Sequence, residues 1–227
     1  MLEAAHESLE IRVDAAHAVS GLWQRPPSAR CALALAPGAG AGITHSFMTD
    51  MADRLAQHGI ATLRYQFPYM ERRSRRPDAP ALCHATVRAA VGYLSELAGP
   101  LPLFAGGKSF GGRMTSQAQA LAALCGIRGL VFLGFPLHPA KQPAEERGEH
   151  LARVRIPLLF LQGTRDELAE LGLLEPLVAR LGGQATLRII DAADHSFHVP
   201  ARAGRNDQAV RGELAEAIAS WTEGNLA

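Results

Sequence analysis

Cysteine is scarce in this 227-residue chain, which contains only Cys31, Cys83 and Cys125. Three widely separated thiols do not make a disulfide framework, so we expect reduced side chains that pack as small hydrophobes. The chain also lacks an apolar run long enough to cross a bilayer. Its first ten residues, MLEAAHESLE, lack the basic and apolar regions of a secretory signal. These absences favour a cytoplasmic location.

An excess of charge is missing as well. The 23 basic residues nearly balance the 22 acidic ones and leave a formal net charge of +1. This balance gives no electrostatic footprint for nucleic acid and no attraction to an anionic membrane, so we expect neither as a partner. The length suits one α/β domain over residues 1–227, and we find no internal repeat. The sequence does not indicate an oligomeric state.

Short apolar runs alternate with helical patterns along the chain, as a mostly parallel sheet covered by helices requires. The predicted strands are Ser8–Val13, Ala18–Gln24, Cys31–Ala36, Ile60–Tyr65, Leu101–Ala105, Leu130–Leu133, Pro157–Gln162 and Gln184–Ile190. The predicted helices are Ser46–Gln57, Ala81–Leu97, Gly111–Cys125, Leu168–Leu181 and Gln208–Trp221, the last with Asp207 as its start signal.

This order predicts an α/β fold with a doubly wound, mostly parallel sheet of about eight strands. The first two strands alternate apolar and polar residues and are expected to form an antiparallel hairpin at an edge. Ligands of such sheets sit beyond the carboxyl ends of the strands. Two loops, Phe67–Pro80 and Phe135–Arg153, are too short to form a separate domain, so we expect no large lid.

Residues 107–111, GKSFG, fit the pattern G-x-S-x-G between a predicted strand and a predicted helix. In that context a sharp turn exposes the serine, and the glycines leave room for the neighbouring backbone. A serine needs a base to accept its proton, and the base needs a carboxylate to fix its tautomer. Asp166 and His195 each follow a later strand in the expected chain order. We therefore predict a triad of Ser109, Asp166 and His195.

Each partner of Ser109 has an alternative. Asp166 could instead cap a helix, and Glu167 is the rival acid. His198 is the rival base, although it lies further from the strand end. The pair His195 and His198 lacks a third ligand of convincing spacing, so we predict no metal site.

The oxyanion hole is expected to use the backbone N–H of Phe110 and a donor from the glycine-rich loop PGAGAG at residues 37–42. Ala39 is the preferred second donor and Gly40 the next; the alternative is a turn that serves only the chain path.

Residues 38–42 also look like a dinucleotide fingerprint, but Ile43 replaces its third glycine, and no acid ends the following strand. Arg64 at that strand could in principle meet a 2′-phosphate. Residues 107–109 end like a phosphate-binding loop, but Pro102 stands where its first glycine belongs. We predict no cofactor.

Four segments resemble one branch of the α/β-hydrolases: GKSFGGR at 107–113, FPLHP at 135–139, QGTRD at 162–166 and DHSF at 194–197. The chain is similar, from about Cys31 onward, to small bacterial hydrolases related to dienelactone hydrolase. It is also similar to animal testis-expressed and chromatin-complex proteins with a hydrolase-like domain. The resemblance implies the α/β-hydrolase fold and the same triad. One departure is Pro37-Gly38, where relatives often have His-Gly, so side-chain ordering of the loop is not implied.

Several cations lie near the predicted site, and their role has two interpretations. They could attract an anionic ester, or they could be solvated residues paired with acids such as Glu145 and Glu146. The sequence favours the second interpretation, except for Lys108, whose place next to Ser109 leaves both open. The candidates for substrate binding are Lys108, Arg113 and His138, the last more typical of a turn residue; the other cations are Arg72, Arg73, Arg147 and Arg165. The predicted function is cleavage of a small ester or related acyl compound through an acyl-serine. The alternative is a non-catalytic interaction module on the same scaffold.

Overall fold

The computed structural model of the chain describes residues 6–226. Residues 1–5 and 227 lie outside the described part. The prediction about a secretory signal rests on residues 1–10, so half of that segment is not described. The described chain forms one eight-stranded sheet of order β1-β2-β4-β3-β5-β6-β7-β8. Its strands are β1 His6–Arg12, β2 Ala18–Gln24, β3 Cys31–Ala36, β4 Ile60–Tyr65, β5 Leu103–Lys108, β6 Ile127–Leu133, β7 Leu158–Gly163 and β8 Ala185–Ile190.

The predicted sheet is confirmed, including the antiparallel hairpin of β1 and β2 at one edge. β2 also pairs antiparallel with β4, whereas the five pairings from β4 through β8 are parallel. β3 and β4 are buried along their whole length because helices cover both faces of the sheet. β8, at the other edge, is only partly buried.

Six α-helices and two hydrophobic clusters complete these layers in the part of the chain that is described. Three helices, Pro80–Ala98, Phe110–Leu121 and Leu171–Leu181, pack on one face, and two, Ser46–Gln57 and Asp207–Glu223, pack together on the other. Among residues 6–226, no helix has the length and apolarity that crossing a membrane requires. The helices are α1 Ser46–Gln57, α2 Pro68–Glu71, α3 Pro80–Ala98, α4 Phe110–Leu121, α5 Leu171–Leu181 and α6 Asp207–Glu223.

Several predicted boundaries are wrong, and local contacts explain why. β5 extends through Lys108 because Gly106 and Gly107 continue as strand between β3 and β6. α5 begins at Leu171 rather than Leu168, since the Leu168 N–H bonds to the Asp166 carboxylate instead. The start signal of α6 is Asn206, whose side chain accepts from the Ala209 N–H, rather than Asp207.

The two segments predicted as loops also contain short helices. α2 lies within Phe67–Pro80, and a 3₁₀ helix, Glu146–Arg153, lies within Phe135–Arg153. A proline at its first turn starts α2, which hydrophobic periodicity could not reveal over four residues. No separate lid domain is formed within residues 6–226.

Candidate active site

Ser109 lies at the turn between β5 and α4, with φ 49° and ψ −116°. A positive φ is uncommon for a residue other than glycine and stores backbone strain. The flanking glycines make the turn sterically feasible. A methyl group at Gly107 would collide with the Ala36 carbonyl oxygen, and one at Gly111 would lie 2.5 Å from the Pro37 carbonyl oxygen. The turn therefore presents the Ser109 hydroxyl beyond the carboxyl end of the sheet.

A chain of hydrogen bonds connects Ser109 to two residues from later loops. The Ser109 Oγ lies 2.8 Å from His195 Nε2, and His195 Nδ1 lies 2.7 Å from Asp166 Oδ2. Because Nδ1 faces a carboxylate, the matching tautomer carries its proton on Nδ1 and leaves Nε2 free to accept from Ser109. The three residues follow β5, β7 and β8, whose carboxyl ends lie at one edge of the parallel sheet.

The Asp166 side chain is fully buried and held by two further donors. Gln162 Nε2 donates to Oδ2 at 2.5 Å, and the Leu168 N–H donates to Oδ1 at 2.8 Å. Gln162 Oε1 in turn accepts from the Phe135 N–H at 2.9 Å. Sequence reasoning quoted Gln162 only as part of a motif. The sequence feature that could have identified it is a polar residue at the end of the apolar run of β7, because a buried amide needs hydrogen-bond partners.

The rival residues lie apart from this hydrogen-bonded chain. Glu167 is exposed. His198 is also exposed and pairs with the Asp207 carboxylate at 3.0 Å, which raises the pKa of the imidazole. Within residues 6–226, no group of three or more histidine, cysteine or acidic side chains is arranged to hold a metal ion.

The glycine-rich loop lies against Ser109. A methyl group at Gly38 would lie 3.9 Å from the Ser109 Cβ. The Tyr69 hydroxyl donates to the Ala39 carbonyl at 2.8 Å, and burial raises the pKa of this phenol, which keeps it a donor. Sequence reasoning did not identify Tyr69. Among the described residues, the N–H groups of Phe110, Ala39 and Gly40 donate no hydrogen bond within the protein.

A cleft of about 410 Å³ opens beside Ser109 and His195. Its walls combine the glycine-rich loop with apolar side chains from α1 and from the segment after Asp166. His45, the N-cap of α1, also contributes and was not identified from the sequence. The remaining lining side chains are Phe47, Met48, Lys108, Leu168 and Ser196.

The three predicted substrate-binding residues make other contacts. Lys108 Nζ donates to the His195 carbonyl at 2.6 Å. Arg113 projects from α4 with its guanidinium carbon 5.8 Å from the Phe110 ring centroid. The buried His138 engages the backbone through both ring nitrogens, at Pro139 and Glu170. Arg113 and His138 do not line the cleft beside Ser109.

The other cations described next do not line the cleft beside Ser109 either. Arg72 pairs with Asp78, and Glu145 pairs with Arg180 rather than with a cation of the predicted set. Arg73 lines a separate cleft of about 480 Å³ on the far side of the glycine-rich loop. The buried Arg64 donates to the Ile43 carbonyl and to the Thr49 hydroxyl, so its guanidinium is engaged inside the protein.

Comparison with known proteins supports the family and the fold. The sequence model of the alpha/beta hydrolase domain family matches residues 29–223. A dienelactone hydrolase from Anabaena variabilis superimposes with a TM-score of 0.80 at 20% identity, covering 99% of this chain and all of that one. An alpha-beta serine hydrolase homologue from Coxiella burnetii has a TM-score of 0.75 at 18% identity and covers 93% of this chain and 97% of its own.

A third structure, a lidless α/β serine hydrolase from Xanthomonas campestris, has a TM-score of 0.73 at 19% identity, with 97% of both chains covered. At these identities the structures establish a shared fold, and the function has to be argued from the site.

Proposed function

The chain belongs to the alpha/beta hydrolase domain family, and we propose that within it the protein is a serine hydrolase that cleaves a small ester or related acyl compound. The observation that carries the proposal is the continuous hydrogen-bonded chain from Ser109 through His195 to Asp166. A strained serine beside an oriented imidazole is the arrangement that activates a hydroxyl for attack on a carbonyl.

In the proposed reaction His195 Nε2 takes the Ser109 proton as Oγ attacks the substrate carbonyl carbon. The N–H groups of Phe110 and of Ala39 or Gly40 hold the oxyanion. When the tetrahedral intermediate collapses, the proton passes from His195 to the departing alcohol and an acyl-serine remains. Water then attacks the acyl carbon while His195 takes its proton; the bond between this carbon and Oγ breaks, His195 returns the proton to Oγ, and the carboxylic acid leaves. Asp166 keeps the imidazole oriented and supports its positive charge.

The cleft favours a small acyl group. A volume of about 410 Å³ with mainly apolar walls accommodates a short chain, and no separate lid within residues 6–226 extends it. The GKSFGGR and DHSF segments further support a place in the branch that contains dienelactone-hydrolase-like bacterial proteins and animal hydrolase-like domains. A cytoplasmic location remains a prediction from the sequence.

A fluorophosphonate probe tests the proposal directly. Wild-type protein should be labelled and should hydrolyse short p-nitrophenyl esters, and Ser109→Ala should do neither while keeping the wild-type circular dichroism spectrum. Ser116→Ala, which removes a buried serine about two turns further along α4, is the matched control and should be labelled normally. Well-folded wild-type protein that is not labelled would contradict the proposal and favour a non-catalytic interaction module.

A further inference from the structure

Lysine is rare in this chain. Of its 23 lysine and arginine residues, only Lys108 and Lys141 are lysines. Lys141 is exposed in the segment between β6 and β7. Lys108 is partly buried and directly precedes Ser109. A buried ammonium is costly unless it is well paired, so its contacts indicate what it does.

The Lys108 ammonium is directed at the loop that carries the base. Nζ donates to the His195 carbonyl at 2.6 Å and lies 5.3 Å from the centre of the Phe197 ring. Burial lowers the pKa of this ammonium to about 8, against the opposing influence of Asp166 and Asp194. The Lys108 side chain lines the cleft beside Ser109, but its amine is engaged with backbone and aromatic groups of the loop that carries His195.

The rest of the base loop, residues 194–198, is a tight turn. One oxygen of Asp194 accepts from the N–H groups of Ser196 and His198 at 2.8 and 2.9 Å. Phe197 has a φ of 61° and stacks on Phe47 with ring centres 5.9 Å apart. These contacts fix the shape of the turn, but they do not connect it to the nucleophile. The hydrogen bond from Lys108 to the His195 carbonyl does connect the turn to Ser109, because Lys108 and Ser109 are consecutive residues.

Gly134 has no side chain, which leaves room for Lys108 to contact the loop that carries His195. A methyl group there would lie 3.1 Å from Lys108 Nζ and 3.5 Å from both Nδ1 and Cε1 of His195. Its φ of 69° also favours glycine. The glycine thus allows the ammonium and the imidazole to approach the same point of the backbone after β6.

We propose that Lys108 is a positioning residue, which fixes the backbone of His195 relative to Ser109 so that Nε2 stays within proton-transfer distance of Oγ. This inference rests on the proposed hydrolase function and assigns Lys108 a role other than substrate binding. A displacement of about 1 Å between reacting groups can lower a rate by about 100-fold, so one well-placed hydrogen bond to the base can matter.

The test compares Lys108→Met with the matched control Lys141→Met. Methionine keeps an unbranched stem and removes the ammonium. Lys108→Met should lower kcat for a neutral p-nitrophenyl ester by about 10- to 100-fold, with KM changed less than about twofold. The rate of fluorophosphonate labelling should fall in parallel, Lys141→Met should behave as wild type, and Lys108→Arg should recover part of kcat.

Three outcomes would overturn the assignment. A raised KM with unchanged kcat in Lys108→Met would indicate substrate binding, and unchanged constants would indicate no role. Wild-type protein that does not react with the probe would remove the proposed function itself, which distinguishes that failure from the other two.

If Lys108→Met does not fold, the wild-type protein still provides a test through lysine-selective ¹⁵N labelling, since only two side-chain signals exist. A protected Lys108 ammonium signal with a cross-peak to the base loop supports the proposal. Rapid solvent exchange of both signals overturns it.

Discussion

Among single residues, Asp166 has the most constrained surroundings of the candidate site. Its buried carboxylate receives hydrogen bonds from His195, Gln162 and the Leu168 backbone. The neighbouring Glu167 points to solvent. Two adjacent carboxylates therefore occupy opposite environments, and only the buried one can fix the tautomer of the imidazole.

Asp166→Asn should lower kcat by about 10⁴-fold, because the amide can donate to Nδ1 and then favours the wrong tautomer of His195. Steady-state hydrolysis of a short p-nitrophenyl ester measures the effect. Glu167→Gln is the control and should retain wild-type kcat. A large loss in Glu167→Gln together with an active Asp166→Asn would exchange the two assignments.

Lys108 should make folding stability depend on pH in the alkaline range. Burial lowers the pKa of its ammonium to about 8, from 10.5 when exposed. Between these values the unfolded chain binds more protons, so the free energy of unfolding should rise with pH, by at most about 3 kcal/mol. Urea titrations at pH 8, 9 and 10 measure this slope as the difference between wild type and Lys108→Met. A difference that does not change with pH would contradict the prediction.

Among the structural elements, the turn from β5 to α4 depends on close backbone approach. Gly107 runs against the Ala36 carbonyl of β3, and Gly111 faces the Pro37 carbonyl. β3 and β5 therefore position both Ser109 and the loop of candidate oxyanion donors. A change in their spacing would alter both groups together.

Gly107→Ala should destabilise the protein by about 1–3 kcal/mol and reduce probe labelling, because the added methyl group collides with β3. Gly92→Ala is the matched control within α3, where an added methyl group meets no atom within 4 Å. It should instead stabilise by about 0.5–1 kcal/mol, since alanine is the better helix former. Thermal denaturation of both variants gives the comparison, and equal effects of the two changes would refute the steric argument.

For the whole molecule, the sheet order decides which loops meet. β3, β5, β6, β7 and β8 are consecutive parallel neighbours, so the loops at their carboxyl ends form one continuous surface. The cleft opens on this surface between α1 and the base loop. If this cleft holds the acyl group, as proposed, its volume of about 410 Å³ sets the acyl length that can be buried.

Activity should therefore fall with acyl chain length. We expect kcat/KM for p-nitrophenyl butyrate to exceed that for p-nitrophenyl palmitate by at least about 10-fold, because the longer chain must leave apolar carbons in water. A series of chain lengths measured below the micelle concentration provides the test. A rising preference for long chains would mean that the substrate uses another surface.

The sequence was sufficient to predict the fold class. Apolar runs such as Cys31–Ala36 and Ile60–Tyr65 have the same bounds in the structure, because strands buried on both faces are mostly apolar. The boundary errors occur where side chains compete with the backbone pattern, as at Asp166 and Asn206. Hydrophobic periodicity does not register such local hydrogen bonds.

By itself the sequence determined the strand–turn–helix placement of Ser109 and the order in which an acid and an imidazole follow it. Motif and chain order contain that information because the fold places the end of each parallel strand at one edge of the sheet. Only the tertiary structure decided which contacts hold these groups in place. Gln162, Tyr69 and Gly134 contact residues far away along the chain, and Lys108, placed beside Ser109 by the sequence, reaches the carbonyl of His195. Such contacts depend on the packing of separate loops, which no local pattern encodes.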